Sequence, residues 1–148
     1  MTRIGAVSAL ANATFLAPWE REEAYRVLLA TINDPDAQVR ARAGLALSGN
    51  GEHTAQIVAA LLGLVKDQSA SVRENALFSL ERIVKPGSAE APAAIQTIVA
   101  ALDDPKPAVR LEAARALFVL GQGRRAVPAL ARLVRDETGS YRTGAWVG

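Results

Sequence analysis

The chain has 148 residues, half of them apolar and 22% charged, which amounts to one domain's worth of sequence and excludes a disordered or collagen-like chain. Its 17 basic and 15 acidic residues leave a formal charge of +2, too small an excess for steep attraction to nucleic acid or an anionic membrane. With no cysteine and a single histidine, His53, a disulfide framework, a thiolate metal site, a cysteine nucleophile and a histidine-rich metal cluster are all excluded.

Thirty alanines against seven aromatics predict an all-α chain, because alanine is the best helix former and a mediocre strand former. No stretch approaches the roughly 20 apolar residues that span a bilayer. Asn12 and Thr14 interrupt the apolar run that follows Met1-Thr-Arg, which argues against a signal peptide. The expected location is the cytoplasm.

In chain order, a first helix is predicted over 2–14 and a second over 18–33, opened by Pro18. Asp34-Pro35-Asp36 stops the second, and Asp36 is placed to cap a third over 36–48, which ends at Ser48-Gly-Asn-Gly51. A helix over 53–66 turns at Asp67 into one over 69–84 capped by Ser69, and Lys85-Pro-Gly-Ser88 ends it. Helices over 91–102 and 107–120 flank Asp104-Pro105-Lys106-Pro107, where Lys106 departs from the capping rule. After Gly121-Gln-Gly123, two last helices are expected over 125–135 and 138–147, with Thr138 as cap.

These helices repeat. Val39-Arg-Ala-Arg-Ala-Gly-Leu-Ala-Leu47, Val72-Arg-Glu-Asn-Ala-Leu-Phe-Ser-Leu80 and Val109-Arg-Leu-Glu-Ala-Ala-Arg-Ala-Leu117 share one template, and Thr2-Arg3 and Tyr141-Arg142 start it again. The anchors at 2, 39, 72, 109 and 141 divide the chain, as a single unit over 1–148, into about four and a half repeats spaced by 37, 33, 37 and 32 residues. Five residues before each later anchor stands an acid: Asp34, Asp67, Asp104 and Asp136. Fourteen, eleven and seven residues before it the side chains are apolar (Tyr25, Leu28, Ile32; Val58, Leu61, Val65; Ile95, Ile98, Leu102; Val127, Leu130, Val134). Those offsets share one helix face, so each repeat reads as helix, tight turn, helix.

The Asp-(Pro)-x-x-x-Val-Arg-x-x-Ala-x-x-x-Leu pattern resembles the HEAT repeat, in particular the short bacterial form also found in phycobilisome lyases. The resemblance covers nearly the whole chain and implies an α-solenoid of stacked helical hairpins, whose second helices line a concave side. It also implies that Arg3, Arg40, Arg73, Arg110 and Arg142 pair with the turn acids Asp34, Asp67, Asp104 and Asp136 of their own or an adjacent repeat. Repeated opposite charges at fixed offsets favour such charge-assisted bonds, so these residues are expected to form a structural ladder and not a phosphate-binding stripe.

Recognition is then expected at the positions that vary. In the second helices the anchor and the fourth, fifth and eighth residues after it face the core. The second, third and sixth are expected to point outward: Ile4, Ala41, Glu74 and Leu111; Gly5, Arg42, Asn75 and Glu112; Ser8, Leu45, Phe78 and Arg115. Of these, Arg42, Leu45, Glu74, Asn75, Phe78, Leu111, Glu112 and Arg115 form the candidate partner-binding set, mixing apolar anchors with both charge signs as protein interfaces do. His53 reads as a solvated polar residue, Trp19 and Trp146 as packing residues, and Arg124, Arg125, Arg132 and Arg135 as a solvated basic face.

No catalytic constellation, phosphate loop or metal spacing stands out, so no cofactor is expected. The leading expectation is a non-catalytic scaffold that binds another protein or peptide on its concave face. A bilin-lyase-like binder of a tetrapyrrole and its acceptor protein is the first alternative, implied by the family resemblance, and a nucleic-acid binder the second. Because the pattern begins on a second helix and stops one residue short of its fifth leucine, either a longer array or self-association through uncapped ends is expected.

Overall fold

A computed structural model describes residues 2–11, 17–49 and 52–144, with side chains as far as residue 135. The elements are α1 (Arg3–Ala11), α2 (Pro18–Thr31), α3 (Ala37–Leu47), α4 (Thr54–Leu64), α5 (Ala70–Ile83), α6 (Ala91–Ala101), α7 (Pro107–Val119) and α8 (Gly123–Gly144), with no strand among the described residues. Helices α2 and α3, α4 and α5, and α6 and α7 pair as hairpins. Successive hairpins stack mainly through their second helices, so that α1, α3, α5 and α7 form a continuous inner row, while α2, α4 and α6 touch one another sparsely. The result is an all-α solenoid.

Local chemistry sets the helix ends. Pro18 opens α2, and the Glu20 carboxylate accepts the backbone N–H of Ala17 at 2.6 Å. Asp36 caps α3 by accepting the N–H of Gln38 at 2.8 Å. Ser69 precedes α5 without a side-chain capping bond; its hydroxyl lies 2.9 Å from that of Ser71. Helix α7 closes in a left-handed turn at Gly121 (φ 74°), where the N–H groups of Gly121 and Gln122 reach back to the carbonyls of Phe118 and Leu117. Only glycine takes that φ without strain.

The core is one continuous cluster running the length of the stack. Leu47, Leu80 and Leu117, eight residues after their anchors, are fully buried, as are Val39, Val72 and Val109 at the anchors. Between them Ala43, Ala76 and Ala113 let neighbouring helices approach. Gly44 serves the same end between α3 and α4, since a β-carbon there would lie 2.9 Å from Leu64 Cδ1.

The last helix departs from the sequence reading in two ways. Helices over 125–135 and 138–147 were expected with a turn at Asp136; α8 instead runs unbroken from Gly123 to Gly144, with Thr138 inside it. Asp136-Glu137 carries no proline, and glutamate propagates a helix well, but proline alone does not set these turns, since Asp67-Gln68 also lacks one and α4 still ends at Leu64. The buried face is also rotated by one residue: Ala126, Ala129 and Leu133 are buried, while Val127 and Val134 are exposed, a turn of about 100°. Helix α8 packs on α7, and the buried residues of both helices include small ones, Ala126 and Ala129 on α8 and Ala113, Ala114 and Ala116 on α7, which suits close helix approach at the expense of burying the two valines.

Candidate functional site

Two surfaces carry the charged and variable residues. The first is the edge formed by the turns. Arg40 on α3 donates from Nε and Nη2 to the two oxygens of Asp67, at 2.8 and 2.9 Å, and from Nη1 to the carbonyls of Asp34 and Pro35 at 2.8 and 3.0 Å. Arg73 repeats this one unit on, with Asp104 at 2.7 and 2.9 Å and the carbonyls of Asp67 and Gln68 at 2.9 and 3.1 Å. Arg110 holds the carbonyls of Asp104 and Pro105 at 2.9 and 3.3 Å. Each of these arginines thus fixes its own turn through the main chain, and Arg40 and Arg73 also reach forward to the carboxylate of the next.

The acids are matched as fully. Asp34, Asp67 and Asp104 accept the N–H two residues on, from Asp36, Ser69 and Lys106, at 2.8 to 2.9 Å. Asp34 also takes Arg3 at 3.0 Å. The Arg40 hydrogen bond, helped by the Ser69 N–H, holds Asp67 below the usual carboxylate range despite its burial. For Asp104, burial pushes the pKa up, but the bonds from Arg73 and Lys106 and the fields of Arg73 and Arg110 outweigh it and leave it lowered. The side chains of Asp136 and Arg142 lie outside the described residues.

The second surface is the outward face of the inner row. Arg42, Glu74, Leu111 and Arg115 are exposed there, and Leu45, Asn75 and Phe78 are half-buried. Asn75 donates to the Ser71 carbonyl at 2.9 Å, and the Arg82 guanidinium lies 5.6 Å from the centre of the Phe78 ring.

Two expectations about this face are corrected. Ala41 is buried, and Glu112, expected to point outward, is only 7% exposed. An inner-row helix is covered on both flanks by its neighbours in the row as well as by its own hairpin partner, so its exposed strip is narrower than the period of one hairpin implies. For the same reason Ala46, Ser79 and Ala116, seven residues after their anchors, are buried.

Glu112 accepts from Arg115 Nη1 at 3.1 Å through one oxygen, and its other oxygen is buried without a hydrogen-bond partner. Glu81, which the sequence reading did not single out, has a buried oxygen in the same condition. Burial raises the pKa of Glu112, and the fields of Glu81 and Glu74 raise it further against the opposing field of Arg115.

Elsewhere, His53 is exposed, as expected of a solvated residue, and also joins a small contact group. At φ 61° it precedes α4, its ring stacks on Tyr25 at 4.3 Å, and its Nε2 lies 2.9 Å from a Glu22 oxygen. Tyr25 donates to Gln56 at 2.7 Å, so this group ties α2 to α4; burial and then the charge of Glu22 raise the pKa of its phenol. Trp19, expected to pack, is instead 73% exposed in the first turn of α2. Arg124, Arg125, Arg132 and Arg135 are exposed, and Trp146 lies outside the described residues. Among the described residues no three histidine, aspartate or glutamate side chains are grouped to hold a metal ion, and no helix is long and apolar enough to cross a membrane.

Comparison with known proteins agrees with the repeat geometry. The sequence pattern of a family described as HEAT repeats matches residues 57–147, more than half of the chain. No curated protein matches it.

Proposed function

The chain belongs to the HEAT-repeat family, and from that premise we propose that it is a non-catalytic scaffold that binds a partner protein through the outward face of the α1, α3, α5 and α7 row. HEAT repeats are commonly protein-interaction scaffolds. The observation that carries the proposal is the contrast along that row between a fully matched turn edge and a face where Leu111 is exposed and Phe78 and Leu45 are half-buried beside Arg42, Glu74, Asn75 and Arg115. Apolar anchors ringed by polar groups are what protein interfaces use, the former for energy and the latter for orientation. The close stacking of the inner row, against the sparse contact between α2, α4 and α6, favours a curved array with this row on the inside, so that one partner segment touches several repeats at once.

The test is selection of a random dodecapeptide library on the full chain, followed by affinity measurement on variants. Phe78→Ala and Leu111→Ser are expected to weaken the selected peptides by about tenfold or more, and Trp19→Ala, on α2, to leave them unchanged. Loss with Trp19→Ala and none with the two inner-row variants would place recognition elsewhere.

A further inference from the structure

Glu81 on α5 and Glu112 on α7 depart from the charge matching of Asp34, Asp67 and Asp104 along the described part of the turn edge. Asp67 and Asp104 each receive a two-pronged arginine and a backbone N–H. Glu112 is as deeply buried, at 7% exposure, yet Arg115 Nη1 is the donor to one of its oxygens while the other has none. Glu81 likewise has one buried oxygen without a donor, and its other oxygen stands 3.9 Å from Arg115 Nη2, beyond hydrogen-bond reach. One guanidinium therefore serves two carboxylates, and Glu74 adds a third negative charge to the field at Glu112. Arg82 does not relieve them, since its guanidinium lies over the Phe78 ring.

Buried carboxylate oxygens without donors work against folding. What the pair lacks is a cation that brings several N–H donors. A metal ion fits poorly, because the described residues offer no group of three ligands; a guanidinium or ammonium needs fewer carboxylates and bonds directionally. The surroundings match the rest of such a side chain and its neighbours. Leu111 and Phe118, seven residues apart on α7 and both about half exposed, flank Arg115 on one strip and offer apolar surface on either side of the acids.

We propose that Glu81 and Glu112 form a subsite for a lysine or arginine side chain of the partner, carried on a segment with apolar residues next to it. The inference rests on the inner-row face being the partner surface, and names the chemistry that face selects. Arg115, itself half exposed, faces one oxygen of each carboxylate; the partner's cation enters beside it, so that two carboxylates are met by two cations and the missing donors are supplied.

The experiment uses peptides selected from the random dodecapeptide library on the full chain, and measures their affinity for the wild type, Glu112→Gln and Glu81→Gln. The selected peptides are expected to share a lysine or arginine beside apolar residues. Replacing that residue by glutamine in the peptide, or either glutamate in the protein, should weaken binding by about tenfold. In the Glu112→Gln background the peptide substitution should cost little more, the signature of a direct pair. Circular dichroism verifies folding, and Glu81→Gln carries the test if Glu112→Gln does not fold. Peptides without a basic residue that still lose affinity with Phe78→Ala would overturn the subsite and leave the partner surface standing. Peptides indifferent to Phe78→Ala, Leu111→Ser and both glutamine variants would overturn the two together.

Discussion

The turn edge and the outward face of the inner row are built from the same repeated helices and carry the same kinds of charged residue, yet they treat charge in opposite ways. On the edge, Asp67 and Asp104 are pinned by two-pronged arginines and backbone N–H groups. On the face, Glu81 and Glu112 each keep one buried oxygen without a hydrogen-bond partner. Along the edge the repeat array spends its ionic interactions on holding one unit to the next, and on the face it keeps polar capacity for the proposed partner.

The largest expected effect comes from breaking the edge. Arg73 and Asp104 have side chains only 13% and 9% exposed, so Asp104→Ala leaves a nearly buried guanidinium without its acid and the Lys106 N–H without its acceptor. A loss of about 3 kcal/mol in unfolding free energy is expected from urea denaturation. Arg73→Ala should cost as much, because it also strands the carbonyls of Asp67 and Gln68.

A smaller effect separates the two regions by pH. Asp67 and Asp104 have lowered folded pKa values, so their contribution is present above their ordinary 3.8 and is lost as pH falls through the lowered folded values. Glu112 is raised above its ordinary 4.5, so it imposes no cost below 4.5 and costs stability progressively as pH climbs from there through its folded value. The stability of the wild type relative to Glu112→Gln should therefore improve between pH 7 and about pH 4, while its advantage over Asp104→Asn should persist there and shrink only at lower pH. A flat difference between wild type and Glu112→Gln would count against the raised pKa.

The smallest effect sharpens the comparison within the edge itself. Arg3 and Asp34 repeat the pairing at 3.0 Å, but the arginine is 62% exposed and bonds through one nitrogen. Arg3→Ala should cost less than about 1 kcal/mol. A cost equal to that of Arg73→Ala would show that the pairing itself, and not its burial, supplies the stability.

Much of this architecture is legible in the residues. The recurrence of Val-Arg, alanine and leucine locates seven helices to within a few residues, because one hairpin buries one predictable stripe on each arm. The pairing direction is not legible: that Arg40 and Arg73 reach forward to the next turn, and fix their own turn through main-chain carbonyls, depends on how hairpins stack. Contacts between neighbouring repeats also decide what the single-hairpin pattern cannot. They bury Glu112, Ala41 and Ser79 on the flanks of the inner row, and they turn α8 by one residue so that Ala126 and Ala129 are buried where α8 packs on α7. Glu81 escapes a sequence reading because its partner is a missing donor, which no periodicity marks.

Urea denaturation of Glu112→Gln beside Asp104→Asn at pH 7 distinguishes an edge that holds the fold from a Glu112 kept for a ligand. Both substitutions remove one buried charge without changing shape. Asp104→Asn is expected to lose about 2 kcal/mol or more, and Glu112→Gln to lose nothing or gain up to about 1 kcal/mol, since a buried charge that Arg115 meets through only one oxygen disappears. If Glu112→Gln unfolds as readily as Asp104→Asn, Glu112 is a structural residue like the edge acids and the division of labour proposed here is wrong.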